Sequence, residues 1–264
     1  NDQNYKAAGE MLASVSVDDL YREQRVDYLF RKGYCDLENH EMDSARNNFL
    51  QVEAEPFSDY TMPTRYALGY ISYVAEDFKT AVDWFEKSGK DPRFAAMSSY
   101  YMMESRFMLD DHRYVTANAD DMYESVPDEL KPRLARMVSE SWLVLGDADK
   151  ARHYLDLNTQ GGGEPKSRAD WFFTGSVLYG VQDYKGAIDA YSMMEERVDS
   201  IGQVANYHMG FSYIQTKNKV AAMGAFKDAA TSRPYDEHIS EDAYFNWAKL
   251  AFDLNTDTSV FQDY

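Results

Sequence analysis

Residues 206–213 read Asn206-Tyr207-His208-Met209-Gly210-Phe211-Ser212-Tyr213, and they are followed by Ala222, Phe226, Ala229 and Pro234. Gly210 and Ala222 are small residues 12 positions apart, and Phe226 lies one helical turn after Ala222 on the same face. This spacing predicts two antiparallel helices, because a Gly or Ala at the crossing point lets two helix backbones approach closely. Pro234 is expected to end the second helix at or before the preceding residue.

Such pairs of small residues recur seven times along the 264-residue chain, at intervals of 34 to 38 residues. The pairs are Gly33/Ala45, Gly69/Ala81, Ser105/Ala117, Ser139/Ala151, Gly175/Ala187, Gly210/Ala222 and Ala248/Val260. A period of this length indicates a helix-turn-helix repeat, whose units pack on their neighbours. With the two small residues at repeat positions 8 and 20, the repeats begin near residues 26, 62, 98, 132, 168, 203 and 241. We call the first helix of each repeat helix A and the second helix B.

The third repeat fits this pattern least well. Asp121 stands where the other repeats carry an aromatic residue or Leu four residues after position 20. We therefore expect Met122 or Tyr123 to fill the core, and helix B of this repeat to be shifted or distorted.

The pattern resembles the tetratricopeptide repeat (TPR) family over nearly the whole chain, from about Val26 to Tyr264. The resemblance implies an all-α fold, a right-handed superhelical solenoid of antiparallel helix pairs that extends as one domain over residues 1–264. Residues 1–25 are similar to the second helix of a truncated repeat, and the pattern runs to both ends, so we expect a fragment of a longer protein. The glycine-rich segment 160–165 predicts a loop or mild hinge between the fourth and fifth repeats.

Composition argues against several classes of protein. The chain has 27 Lys or Arg and 45 Asp or Glu, a net charge of −18. This balance argues against nucleic-acid binding, which needs a clustered cationic face. No run approaches the roughly 20 apolar residues of a transmembrane helix. The single cysteine, Cys35, excludes an internal disulfide and fits either the cytosol or the periplasm.

No motif for catalysis, metal binding or cofactor binding stands out. The five histidines are scattered without a second ligand at helical spacing, and the chain has no Walker, G-x-S-x-G or H-E-x-x-H sequence. We therefore predict a non-enzymatic protein with no cofactor and no metal.

The A helices carry an aromatic stripe at repeat positions 5, 9 and 12, which share one helix face. In a TPR-like array this face lines the concave groove. The stripe consists of Phe30, Tyr34, Tyr66, Tyr70, Tyr73, Phe172, Tyr179, Tyr207, Phe211, Phe245 and Phe252. Such rings offer a partner a large contact area with a polar tip, but rings at helical spacing also belong to cores. Both interpretations stay open at this point.

The middle of the array is predicted to be cationic. Met102, Arg106 and Arg136 stand at positions 5 and 9 there, and Arg133 stands at position 2. Residues 131–168 carry seven Lys or Arg and five acids, a local charge of +2. Because a guanidinium group suits a carboxylate, the three arginines form a candidate anion site. Ordinary salt bridges to neighbouring acids are the alternative.

These features predict a protein-protein interaction scaffold that binds a peptide or a partner helix in its aromatic groove. The order of the repeats, ending in residues 240–250, is similar to that of long multi-repeat TPR proteins of the Gram-negative cell envelope. The similarity implies a role in envelope assembly or maintenance and a periplasmic or outer-membrane-associated location, while a cytoplasmic location stays open. A carbohydrate-binding helical-repeat protein of the outer membrane is the alternative function. Self-association through the uncapped ends of the array is a further expectation.

Overall fold

The computed structural model describes residues 2–232 and 235–255, which form fifteen α-helices, two short 3-10 turns and no strand. The helices are α1 (Asp2–Ala13), α2 (Arg22–Glu38), α3 (Met42–Glu53), α4 (Thr61–Val74), α5 (Phe78–Ser88), α6 (Ala95–Met108), α7 (His112–Ala117), α8 (Ala119–Ser125), α9 (Lys131–Val144), α10 (Ala148–Gln160), α11 (Arg168–Gly180), α12 (Tyr184–Ser192), α13 (Ser200–Gln215), α14 (Lys219–Thr231) and α15 (Glu237–Asp253). The all-α class is confirmed. The predictions for Pro234, Val260 and Tyr264 lie outside the described residues.

Consecutive helices pair into TPR-like hairpins, and the chain divides into two compact units, Asn1–Asp128 and Glu129–Tyr264. In the first unit α2 pairs with α3, α4 with α5, and α6 with α7 and α8, while α1 packs on α2. In the second unit α9 pairs with α10, α11 with α12, and α13 with α14, and α15 packs on α14. The glycine-rich segment 160–165 falls inside the second unit, where it contributes to the loop between α10 and α11.

The six turns from helix A to helix B that lie wholly within the described residues share two features. The residue after the C-cap of helix A adopts a left-handed conformation with φ between 58° and 83°, and the next residue is the N-cap of helix B. The left-handed residues are His40, Glu76, Asp110, Gly146, Gln182 and Lys217. The N-caps whose side chains accept a backbone N–H three residues on are Asp77, Asp111, Asp147, Asp183 and Asn218. Each such cap stabilises its helix by about 1 kcal/mol.

In four repeats a glycine of helix A lies directly against an aromatic ring of helix B. The pairs are Gly33–Phe49, Gly69–Phe85, Gly175–Tyr191 and Gly210–Phe226. A Cβ atom on any of these glycines would lie 2.6 to 2.9 Å from a ring atom. All four rings are fully buried, as are the small residues predicted at position 20 of the same helices. The predicted close approach of helices A and B is confirmed in these repeats.

The predicted register of the third repeat is wrong by two residues. Its left-handed residue is Asp110, which places Met103 and Val115 at positions 8 and 20, where Ser105 and Ala117 were predicted. Met103 and Val115 are both fully buried, whereas Ala117 is exposed. Counting small residues failed here because position 8 of this repeat holds a large side chain.

In the third repeat the large core residue is on helix A and the small one is on helix B, the reverse of the four repeats with a glycine. Ala119 occupies the position that holds a ring in four of the other repeats, and it is buried opposite a helix that carries Met103. Helix B is broken at Asn118 into α7 and α8, and Met122 is 9% exposed. The predicted distortion of this helix and the burial of Met122 are both confirmed.

Replacing Gly210 by Ala should lower the free energy of unfolding by about 1–3 kcal/mol, because the new Cβ would lie 2.7 Å from the fully buried ring of Phe226. Urea denaturation followed by circular dichroism measures the change. Gly224→Ala is the matched control, since Gly224 is an exposed helical residue of α14 with no atom within 4 Å of a new Cβ. There the substitution should stabilise the chain by about 0.5–1 kcal/mol. Equal effects at both sites would contradict the close approach.

Candidate binding surfaces

In the first unit, the predicted aromatic residues of the A helices connect neighbouring repeats. The ring pairs, with their centroid distances, are Phe30–Tyr60 (4.8 Å), Tyr66–Phe94 (5.3 Å), Tyr70–Tyr101 (5.8 Å) and Tyr73–Tyr101 (5.1 Å). Phe30, Tyr66, Tyr70 and Tyr73 are half-buried, and burial raises the pKa of Tyr66 to about 12. Tyr34 alone of the predicted rings in this unit is exposed, at 41%. Most of this stripe therefore contributes to packing between repeats.

A buried carboxylate of α6 contacts one of these rings, Tyr73. Glu104 is 5% exposed, and its two oxygens accept hydrogen bonds from the hydroxyls of Tyr100 (2.8 Å) and Tyr73 (3.0 Å). In the corrected register Tyr100 and Glu104 occupy positions 5 and 9, which the sequence analysis gave to Met102 and Arg106. The cluster joins α4 to α6 through polar contacts inside the first unit.

Met102 and Arg106 lie elsewhere on α6 than predicted. Both contact Tyr114 of α7: the Met102 sulfur lies 3.9 Å from the Tyr114 hydroxyl, and the Arg106 guanidinium lies 4.3 Å from the ring centroid. Arg106 also donates a hydrogen bond to Asp111 at 2.9 Å. A shift of two positions turns a helical residue by about 200°, so these side chains pack on their own helix B.

An open groove of about 670 Å³ lies between α1 and α2 in the first unit. Its lining is mostly apolar and includes Tyr5, Leu12, Phe30 and Tyr34. The Tyr5 and Tyr34 rings meet edge to face with centroids 5.9 Å apart. Burial and the neighbouring Glu38 carboxylate raise the pKa of Tyr34. The groove therefore combines aromatic walls with an acidic group at its edge.

In the second unit the predicted rings are also packed between helices, except at α15. The pairs, with their centroid distances, are Phe172–Tyr191 (6.1 Å), Tyr179–His208 (4.1 Å), Tyr207–Phe211 (5.0 Å) and Phe211–Phe226 (5.0 Å). Phe245 and Phe252 of α15 are 66% and 76% exposed, the highest values among the predicted aromatic residues. They stand seven residues apart and share one helix face.

His208, a half-buried histidine that the sequence pattern did not mark as a site residue, lies within this packing. The His208 ring is parallel to the Tyr179 ring, with an interplanar angle of 9°, and its Nδ1 lies 2.9 Å from the Tyr191 hydroxyl. Burial lowers the pKa of His208 to about 4, and burial raises the pKa of Tyr191. Because burial is the cause of this low pKa, His208 is a neutral aromatic component of the packing near pH 7.

The predicted cationic residues are divided between the units. Arg106 lies in the first unit, and Arg133 and Arg136 lie on α9 in the second. Arg136 forms an ion pair with Asp170 and stacks 4.2 Å from the centroid of Phe173. Burial acts to raise the pKa of Asp170, but hydrogen bonds led by Arg136 outweigh it and lower the pKa to about 2. Arg106 and Arg136 thus form salt bridges with acids of this chain, the alternative considered above.

The two units differ in net charge. Residues 1–128 contain 13 Lys or Arg and 25 Asp or Glu, a net charge of −12, and residues 129–264 contain 14 and 20, a net charge of −6. No three potential metal ligands come together in the described part of the chain. None of its helices is long and apolar enough to span a membrane. The acidic excess favours cationic partner surfaces, most strongly in the first unit.

Comparison with known proteins finds similarity to solved structures but not to any known sequence family. No family model and no curated protein matches the sequence. The chain is similar to part of the crystal structure of the APC/C hetero-tetramer Cut9–Hcn1, with a TM-score of 0.49 and 13% identity over 93% of this chain and 46% of that chain. It is also similar to yeast Tom70, with a TM-score of 0.44 and 12% identity over 96% of this chain and 60% of that chain. The chain therefore spans less than two thirds of either structure.

The neutral His208 should make stability fall with acidification. Between pH 6.5 and about 4 the unfolded chain binds a proton at this imidazole and the folded chain does not, so stability is lost as pH falls through that window, by about 3 kcal/mol in total. Urea denaturation from pH 7.5 to 4 measures the loss in the unaltered chain and in His208→Gln. The variant should be less stable at pH 7.5 but should lose less stability on acidification. Parallel pH profiles would contradict the assignment.

Proposed function

We propose that the chain is a non-enzymatic interaction scaffold that holds a peptide or a helix of a protein partner on the aromatic face of its A helices. The observation that carries the proposal is the exposure of Phe245 and Phe252 on α15, at 66% and 76%. Two exposed rings on one helix face are costly to leave in water and are the kind of side chain that anchors a partner.

The surroundings of these rings support a protein partner. Lys249 lies between them on the same face, and Ile214 of α13, 36% exposed, occupies the same repeat position as Phe252. The hydroxyl of Tyr207 donates a hydrogen bond to Asp242 at 2.7 Å, which ties α13 to the start of α15. An apolar strip with charged groups at its edges fits the apolar side of a peptide or helix.

We further propose a role in cell-envelope assembly or maintenance at a periplasmic or outer-membrane-associated location. The support is the similarity of the repeat order, ending in residues 240–250, to that of long TPR proteins of the Gram-negative envelope. Fractionation of cells of the native organism that produce the protein tests the location, and a purely cytoplasmic signal would refute it.

The double variant Phe245→Ala/Phe252→Ala should lose the protein partners that the unaltered chain captures from the native organism, because its anchors are gone. Truncating exposed rings should change the free energy of unfolding by less than about 0.5 kcal/mol. Affinity capture with mass spectrometry measures binding, and urea denaturation checks the fold.

Phe211→Ala is the matched control, since the Phe211 ring is packed, with its centroid 5.0 Å from the ring centroids of Phe226 and Tyr207. It should lower the free energy of unfolding by about 2–4 kcal/mol. Identical captured proteins from the unaltered chain and the double variant would refute the proposed surface. Retention of purified glycans by the unaltered chain, lost in the double variant, would instead favour the carbohydrate-binding alternative.

A further inference from the structure

A second groove of the first unit, of about 620 Å³, lies where α2 begins and where α3 connects to α4. We call it the edge groove. One wall is the first turn of α2, and the other is the connection of residues 55–60. Its lining includes the buried side chain of Val26 and the half-buried ring of Tyr60. The Tyr60 hydroxyl donates a hydrogen bond to Asp27 of α2, so the two walls are joined.

Phe57 lines the edge groove with a ring that is 70% exposed. Packing between repeats does not account for this ring. Tyr60 and Phe94 are the N-caps of α4 and α6, and each packs on a ring of the preceding helix A, with centroid distances of 4.8 and 5.3 Å. Phe57 stands three residues before its N-cap, where the next repeat has Asp91. The repeat contacts are therefore complete without it, and an exposed Phe ring is the kind of side chain that a partner covers.

Carboxylates outnumber cations in the edge groove. The charged residues of its lining are Arg22, Glu23, Glu55 and Asp59, a net charge of −2. Arg22 donates a hydrogen bond to Glu55 at 2.8 Å, so these two charges compensate each other. Glu23 and Asp59 are exposed, and neither forms a salt bridge with a described residue. Two carboxylates, one on each wall, are thus available to a ligand.

We propose that the edge groove binds an arginine or lysine side chain from an extended basic segment of a protein partner. The alkyl stem of that side chain packs against Val26 and Phe57, and its cationic head lies between Glu23 and Asp59. The exposed ring adds a cation–π contact. This site goes beyond the proposed function, because it shares no residue with the aromatic stripe of the A helices.

The structure argues against three other occupants. A metal ion is disfavoured, because no three potential ligands come together in the described part of the chain. A second copy would bring a net charge of −18 to an acidic groove. Arg93 of this chain interacts electrostatically with Asp59, but it is held by Asp91 at 2.7 Å. A basic partner is the occupant that the charge of the groove favours.

The test uses a labelled, acetylated peptide in which Arg alternates with Leu and Ser. A second peptide carries citrulline at each Arg, which keeps the shape of the side chain and removes its charge. Fluorescence anisotropy should show binding of the Arg peptide, and citrulline should raise the dissociation constant at least about tenfold.

Charge-neutralising variants separate the groove from the general field of the unit. Glu23→Gln/Asp59→Asn should raise the dissociation constant of the Arg peptide at least about tenfold. Glu10→Gln/Asp83→Asn is the matched control, since it removes two charges from exposed residues of the same unit that do not line the groove. It should raise the dissociation constant by less than about twofold. Equal affinity of the two double variants would overturn the proposal.

Ring truncation tests the apolar part of the site. Phe57→Ala should raise the dissociation constant of the Arg peptide at least about fivefold, with an unchanged midpoint in urea denaturation because the ring is exposed. Tyr21→Ala is the matched control, since Tyr21 is 81% exposed just before α2 and does not line the groove. Equal affinity of these two variants would contradict a role for the ring and overturn the proposed site.

The remaining measurements distinguish other outcomes. The Phe245→Ala/Phe252→Ala variant should bind the Arg peptide as the unaltered chain does, so failure of the edge groove and failure of the proposed scaffold surface are distinct results. Displacement of the peptide by Ca²⁺ at constant ionic strength would show a metal site and overturn the proposal. Equal binding of the citrulline peptide would show purely apolar docking and would overturn it as well.

Discussion

The close approach of helix A to helix B, with a small residue against a large one, is the constraint on which the hairpins depend. A ring such as Phe226 buries its whole surface only because Gly210 has no side chain in its way. What matters is the sum of the two volumes, since cores are packed at nearly constant density. The third repeat reaches the same sum from the other side, with Met103 on helix A and Ala119 on helix B. The distance between the helices in turn decides which side chains reach the neighbouring repeat.

The fold could be predicted from the sequence because this constraint leaves a visible period. Six of the seven predicted pairs place their first residue in the expected helix at the expected distance from the turn. The third failed because a search for two small residues cannot recognise a repeat in which large and small have exchanged places. The N-caps would have corrected it: Asp77, Asp111 and Asp147 mark the start of helix B whatever the core residues are. Turn chemistry is thus a better guide to register here than core volume.

The candidate site could be predicted only as a set of positions. Helical spacing places Tyr34 and Tyr70 on equivalent faces, but Tyr34 is 41% exposed and Tyr70 packs against Tyr101 of a later repeat. Exposure is decided by what the adjacent repeat places opposite each ring, and periodicity within one helix carries no information on that. The same holds for Arg136, whose ion pair with Asp170 joins residues 34 positions apart. Charge counted along the sequence therefore overstated what the arginines could offer a ligand.

The acidic charge of this chain and its exposed apolar surface have opposite effects on self-association. An uncovered apolar face favours association with any other apolar face, including that of another copy. A net charge of −12 on residues 1–128 and of −6 on residues 129–264 opposes such pairing, because two like-charged surfaces repel as they approach. The same charge attracts a basic protein surface, so one electrostatic effect both disfavours self-association and favours a cationic partner. This double effect explains how an acidic surface benefits a chain that leaves rings such as Phe245 and Phe252 exposed. It also implies that salt weakens binding and relaxes the selectivity at the same time.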